Sequence, residues 1–260
     1  MRKENKKKRN NKIIVIIKAI LIIAFIITAV YLLFYFYNSY KNKKLYDDLN
    51  KTPATENTSV NTVPPADSEL ANKVKELQQG NIDVKGWISI DNTNINYPLL
   101  QGTDNDYYLT HNYKKETSRY GSIFINYQSD IKDVNSNVII YGHNMGDSQM
   151  FGDLLKYENK DFYEQHPVIK IATDENEADY QIMYVFKSRV FYKNETNVFK
   201  YYQYYNFDNE SAYDEYLNNC KKIELYDTGI TAKYGDQLIT LTTCEYSQDN
   251  GRWVVVAKKI

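Results

Sequence analysis

Two cysteines, three histidines and a late arginine are where this 260-residue chain could carry nucleophilic chemistry. Cys244 ends the alternating run Leu238, Thr240, Thr242, Cys244, which shares one face of a regular strand, with Leu241 and Thr243 on the other. A thiol at a strand end, bordered by hydroxyls and a turn, is open to attack a substrate. Cys220 instead completes an i, i+3, i+4, i+7 stripe with Tyr213, Tyr216 and Leu217, where a free cysteine acts as a small hydrophobe. His111 in "LTHNY" and His166 in "EQHPV" read as polar loop residues. His143 closes the apolar run "NVIIYGHNM", on the same face as Ile139 and Tyr141, with Gly142 just before a turn. Arg252 opens the run "RWVVVAKKI", across a short turn from Cys244.

A thiol nucleophile needs a proton partner, and acyl transfer needs a cation or donors for the developing oxyanion. His143, Cys244 and Arg252 supply those roles if three strand ends meet on one rim. Adjacent strands would bring Cys244 and Arg252 together; spacing alone says nothing of His143. The competing reading of the cysteines is a Cys220–Cys244 disulfide, which an exported domain would permit. Zinc has no support, because neither CxxC nor HxxxH spacing occurs.

The elements that must hold these residues are mostly strands. "GWISI", "INYPLL", "YGSIFINY", "NVIIYGH", "PVIKIAT", "DYQIMYVFKSRVFY", "DQLITLTTC" and "RWVVVAKKI" are short β-runs separated by turns. Their number and spacing predict a closed or sandwiched antiparallel β-domain. Helices are expected at "DSELANKVKELQQG", with a cap-like Asp67/Ser68 and Gly80 as a stop, at "SQMFGDLLKY" and at "NESAYDEYLNNCKKIE". There is no internal repeat and no Gly-rich phosphate loop.

The front of the chain sets the compartment. Residues 1–12 carry seven Lys or Arg against one Glu, and the apolar run Ile13 to Tyr37 follows, broken only by Lys18. The uncharged part, Ala19 to Tyr37, spans about 28 Å as a helix, enough to cross a hydrocarbon core. The run is longer than a signal-peptide core, and no small-x-small cleavage site follows it. An uncleaved anchor is therefore expected, with the basic tail cytoplasmic and residues 67–260 outside. A polar stalk and a Pro/Thr/Asn-rich spacer, 38–66, join the two. Net charge is −1 overall, which gives no sign of a nucleic-acid partner. Tyrosine is abundant at 26 residues.

"YGHNM", "TLTTC" (Thr240–Cys244) and "RWVVVAK", in that order behind an N-terminal anchor, resemble the His, TLxTC and Arg elements of the sortases. The resemblance runs from about Leu70 to Ile260. It is nearest to class B, through "NTNINYPLLQGTDNDYYL", "YGSIFINYQ" and the helix around Ser211–Lys222. The resemblance implies an all-β-dominated fold: an eight-stranded barrel with an N-terminal helix and a helix inserted between late strands. It implies a cysteine transpeptidase of Gram-positive envelopes, needing no cofactor and no metal. Such enzymes cut a secreted protein's C-terminal sorting signal after Thr, hold it as a thioacyl enzyme and pass it to an amine of the peptidoglycan precursor. Carried over by motif, Cys244 is the nucleophile, His143 the general acid/base and Arg252 the group that stabilises the oxyanion or holds the substrate backbone. The family's active ion state is a thiolate beside an imidazolium, which nearby positive charge favours. Asn105 and Leu109 in "DNDYYL" match positions lining the sorting-signal groove, and Thr242 and Glu245 flank the nucleophile at positions that touch the peptide. The stretch "NETNVFKYYQYYNF" lies where class B enzymes shape specificity.

Two other functions are compatible with the residues taken alone. One is an anchored binding or adhesion module with structural cysteines and tyrosine-rich contacts. The other is a cysteine peptidase that uses water as acceptor.

Overall fold

A front segment without glycine or proline has nothing to interrupt a helix, and α1 runs unbroken from Arg2 to Lys51. The expected polar stalk is thus the C-terminal part of the same helix. The computed structural model describes residues 2–51 and 69–260. Most of the spacer and the Asp67/Ser68 helix start lie outside the described residues. From Ile13 onward α1 is long and apolar enough to cross a membrane. Inside its apolar stretch, Thr28 returns its hydroxyl to the Ala24 carbonyl, so the polar atom is satisfied within the helix. The chain divides into two compact units, Met1–Leu49 and Asn50–Ile260.

In the second unit, α2 (Glu69–Gly80) buries Ala71, Lys73 and Val74. The Lys73 ammonium sits 4.4 Å from the Trp87 ring centre, so this cation is covered by an aromatic face rather than left bare. The eight predicted β-runs each yield one strand: β1 (Val84–Ser89), β2 (Asn96–Leu100), β3 (Ile123–Ile125), β4 (Asn137–Tyr141), β5 (Val168–Ala172), β6 (Glu177–Arg189), β7 (Leu238–Cys244) and β8 (Gly251–Lys259). They close into a barrel in the order β1-β2-β3-β4-β7-β8-β6-β5. The barrel is not wholly antiparallel, as the number and spacing of the runs had suggested. β2 pairs with β3, and β4 with β7, in parallel. Parallel neighbours need long crossovers, and the chain provides them in segments 101–122 and 142–237.

"SQMFGDLLKY" does not form an α-helix. It folds as a 3₁₀ helix, Gly152–Glu158, followed by the short α3 (Lys160–Gln165) capped by the Asn159 side chain. Asp153, buried there, accepts from both the backbone N and Nδ2 of Asn94, a long-range contact that ties this stretch to the β1–β2 turn.

α4 (Glu210–Ile223) forms where expected, its first turn capped by Asn209 onto the Ala212 N–H. Tyr213, Tyr216, Leu217 and Cys220 pack with Phe186, Leu238, Val254 and Val256. This layer covers one outer face of β7 and β8, and its tyrosine hydroxyls are paired: Tyr216 with Thr240 at 2.8 Å and Tyr201 with Thr242 at 2.7 Å. Both cysteines are free, so the Cys220–Cys244 bridge is not formed. Cys220 is fully buried, and burial pushes its thiol well above the ordinary cysteine range. It therefore stays protonated and shielded at neutral pH. Native protein treated with iodoacetamide is expected to gain one label, at Cys244, and a second at Cys220 only after denaturation; peptide mass mapping reads both.

Candidate active site

Parallel pairing of β4 with β7 puts the C-terminal ends of both strands at the same end of the barrel, with Tyr141 opposite Thr242. β8 runs back along β7, so Arg252 is the cross-strand partner of Cys244. Thr242, Cys244, Arg252 and Val254 share a face, the one covered further along by the α4 layer. Cys244 and Arg252 emerge at the edge of that cover, both partly buried.

The β4 strand stops at Tyr141, and His143 lies two residues beyond it rather than within the ladder. Gly142 makes the step: a Cβ there would collide with the side chains of Ile123 and Phe151. The residues flanking His143 are bonded to the end of β7. Gly142 N donates to Thr242 O at 3.3 Å, the Thr243 hydroxyl to Gly142 O at 2.7 Å, and Asn144 Nδ2 to Cys244 O at 3.0 Å. The imidazole Nε2–H donates to Leu109 O at 2.7 Å. A carbonyl partner requires Nε2 to be the donor, which leaves Nδ1 as the nitrogen able to take up and return a proton.

The turn from β7 to β8 is built by its own side chains. The Glu245 carboxylate accepts from Ser247 N and Ser247 Oγ, and Glu245 N donates to Gly251 O at 3.0 Å. Gly251 has no room for a Cβ against the Glu245 carbonyl. Asn250 takes a φ of 55°, in the left-handed region that asparagine tolerates. Arg252 Nη1 donates to Gly251 O at 2.9 Å and Asn250 O at 3.3 Å, which holds one nitrogen of the guanidinium and orients the rest. Burial raises the Tyr141 hydroxyl above its usual range, and the Asn126 hydrogen bond and the Arg252 charge offset part of that. Tyr201, fully buried, follows the same pattern.

Cys244, Arg252 and His143 are thus assembled at one end of the barrel. The four other sequence candidates fall in different settings. Leu109 contributes its carbonyl to His143, and Asn105 accepts the Tyr127 N–H on its side-chain oxygen at 3.1 Å. Both are partly exposed. Thr242 is 1% exposed with its hydroxyl on Tyr201, and Glu245 is 8% exposed with both carboxylate oxygens engaged in its turn. The stretch 194–207 includes the 3₁₀ turn Tyr201–Gln203 and is anchored by an Arg189–Glu195 ion pair. His111 stacks on Tyr107, ring centres 4.1 Å apart, and His166 follows α3 and contacts Asp91 O, so both serve local structure. Sequence reasoning did not single out Asn144; only its place next to His143 could have drawn notice.

A thiol, an imidazole and a guanidinium gathered at one end of the barrel are the groups that acyl transfer through a thioester uses. A family model described as "Sortase domain" matches residues 88–260. The chain is 35% identical to sortase B of Listeria monocytogenes over 226 residues, 86% of this chain and 87% of the relative. It is 36% identical to sortase B of Staphylococcus aureus over 188 residues, 72% of this chain and 74% of the relative. The fold is similar to a crystal structure of sortase B from B. anthracis, with TM-score 0.70, 35% identity, and 86% of this chain and 99% of the other covered. It is also similar to a Staphylococcus aureus sortase B–substrate complex, with TM-score 0.65, 33% identity, and 74% and 86% covered.

Proposed function

The chain belongs to the sortase family, with class B relatives, and is a cysteine transpeptidase; on that premise we propose that it cleaves a C-terminal sorting signal after threonine and joins the protein to an amine of the peptidoglycan precursor. The observation that carries this reading is the pairing of Cys244 with Arg252 across β7 and β8, with His143 bonded in beside them through its neighbours.

In the proposed cycle, the Cys244 thiolate attacks the threonine carbonyl carbon. The oxyanion of the tetrahedral intermediate is stabilised by the guanidinium of Arg252. The intermediate collapses, the C–N bond breaks, and the imidazolium of His143 gives its proton to the leaving amine. The incoming amine then attacks the thioester and loses a proton to His143, and the thiolate departs. Asn105 and Leu109 line the peptide path in this reading, and Thr242 and Glu245 shape it from beneath by holding Tyr201 and the β7–β8 turn.

We assign residues 13–37 as the membrane anchor, 1–12 as the cytoplasmic tail, 38–66 as stalk and spacer and 67–260 as the extracellular catalytic part. The basic residues before the apolar run support that orientation. Protease added to intact cells should then digest the catalytic part and spare the tail.

The function is tested by incubating the full chain with a library of threonine-containing sorting peptides and an amine acceptor. Joined products by mass spectrometry support the transferase; hydrolysed products unaffected by added amine would make it a peptidase. Arg252→Lys should lower kcat about 10²-fold, because an ammonium keeps the charge but loses the oriented fork of donors. Unchanged kinetics would remove Arg252 from the mechanism.

A further inference from the structure

We propose that Asn144 is a positioning residue that sets His143 against Cys244. This rests on the transpeptidase reading and adds a residue to it. The parallel ladder between β4 and β7 ends at the Tyr141–Thr242 pair, with Gly142 N adding one last backbone bond to Thr242 O. His143 lies beyond the end of the ladder, so regular backbone pairing does not hold the two strands past this point. The Asn144 side chain replaces the missing bond, donating Nδ2 to Cys244 O at 3.0 Å.

The amide is itself held on both sides. Phe151 N donates to His143 O at 2.9 Å, Asn144 bridges to Met150, and Met150 N donates to the Tyr97 hydroxyl at 3.0 Å. These bonds close residues 143–151 into a hairpin fixed to the buried Tyr97. On the other side, the peptide between Cys244 and Glu245 is pinned at each end. Its carbonyl meets Asn144 and its N–H points the opposite way, to Gly251 O, as a trans peptide plane requires. The nucleophile's backbone is therefore referenced to the His143 hairpin through one side-chain bond on the open side. The Thr243 hydroxyl makes the companion bond on the opposite face of β7. Asn144 directs its donor at the protein and not at a substrate, so its loss should act on the chemical step and leave peptide affinity alone.

The test uses the full chain carrying Asn144→Ala. Expected are a kcat lower by roughly 10- to 100-fold, from displacing the reacting groups by a fraction of an ångström to an ångström, and an unchanged KM. The rate of Cys244 alkylation by iodoacetamide at neutral pH should fall as well, with Cys220 still protected and the melting temperature within about 4 °C of wild type. Wild-type kcat and alkylation rate would overturn the proposal. So would a loss of activity accompanied by a larger drop in melting temperature or by labelling of Cys220, because Asn144 would then support the fold at large. If the wild-type chain transfers no peptide, the transpeptidase reading fails on that result, and the alkylation rates alone still decide whether Asn144 governs Cys244.

Discussion

Cys244→Ala is expected to abolish both peptide cleavage and formation of a covalent peptide–enzyme adduct, a loss on the order of 10⁵-fold or more in kcat. The sulfur is the one atom in the proposed cycle that bonds to substrate, so no neighbour can substitute for it. Cys220 cannot, since it is fully buried beneath Tyr216 and Leu217 with its thiol held protonated by burial. Cys220→Ala should accordingly leave turnover near wild type, and this pair of variants separates a nucleophile from a packing cysteine. The measurement is steady-state cleavage of a sorting peptide together with intact-mass detection of the thioacyl adduct. Cleavage by Cys244→Ala at the wild-type rate would sink the transpeptidase mechanism.

His143→Gln should lower kcat by about 10²- to 10⁴-fold, the range for loss of a positioned general acid–base group. Glutamine is the informative replacement because its amide can still donate to Leu109 O, the bond His143 makes through Nε2–H at 2.7 Å. The turn should hold its shape while the second ring nitrogen, and with it the proton transfer to the leaving amine, is gone. Peptide KM should change little. A rate identical to wild type would assign the proton transfers to another group.

Elements were legible in the sequence wherever a local rule dictated them. The alternation of Leu238, Thr240, Thr242 and Cys244 marked β7 because a buried strand face repeats every second residue, and β7 ends at Cys244. The Tyr213, Tyr216, Leu217, Cys220 stripe marked α4 because an apolar helix face repeats at three and four residues, and all four are buried. Partner choice was less legible. Alternation reads the same in parallel and antiparallel strands, so nothing local reported that β7 would enter between β4 and β8. The helical stretch at Gly152–Glu158 was legible, but not its 3₁₀ form: the inward Asp153 carboxylate is satisfied by Asn94, far away in sequence.

At the site the same division holds. Sequence by itself set the groups on offer, a thiol, an imidazole and a guanidinium, and put Cys244 and Arg252 on two runs joined by one short turn. Only the tertiary structure decided that His143 would join them, since that requires β4 to lie beside β7 in parallel and Asn144 and Thr243 to bond across the gap. Only it decided that Thr242 would turn its hydroxyl under Tyr201 and that Glu245 would fold its carboxylate into its own turn. The physical reason is range. Residue chemistry and strand or helix periodicity are set by near neighbours along the chain, whereas the pairing of β4 with β7 is set by how the whole barrel closes around its core.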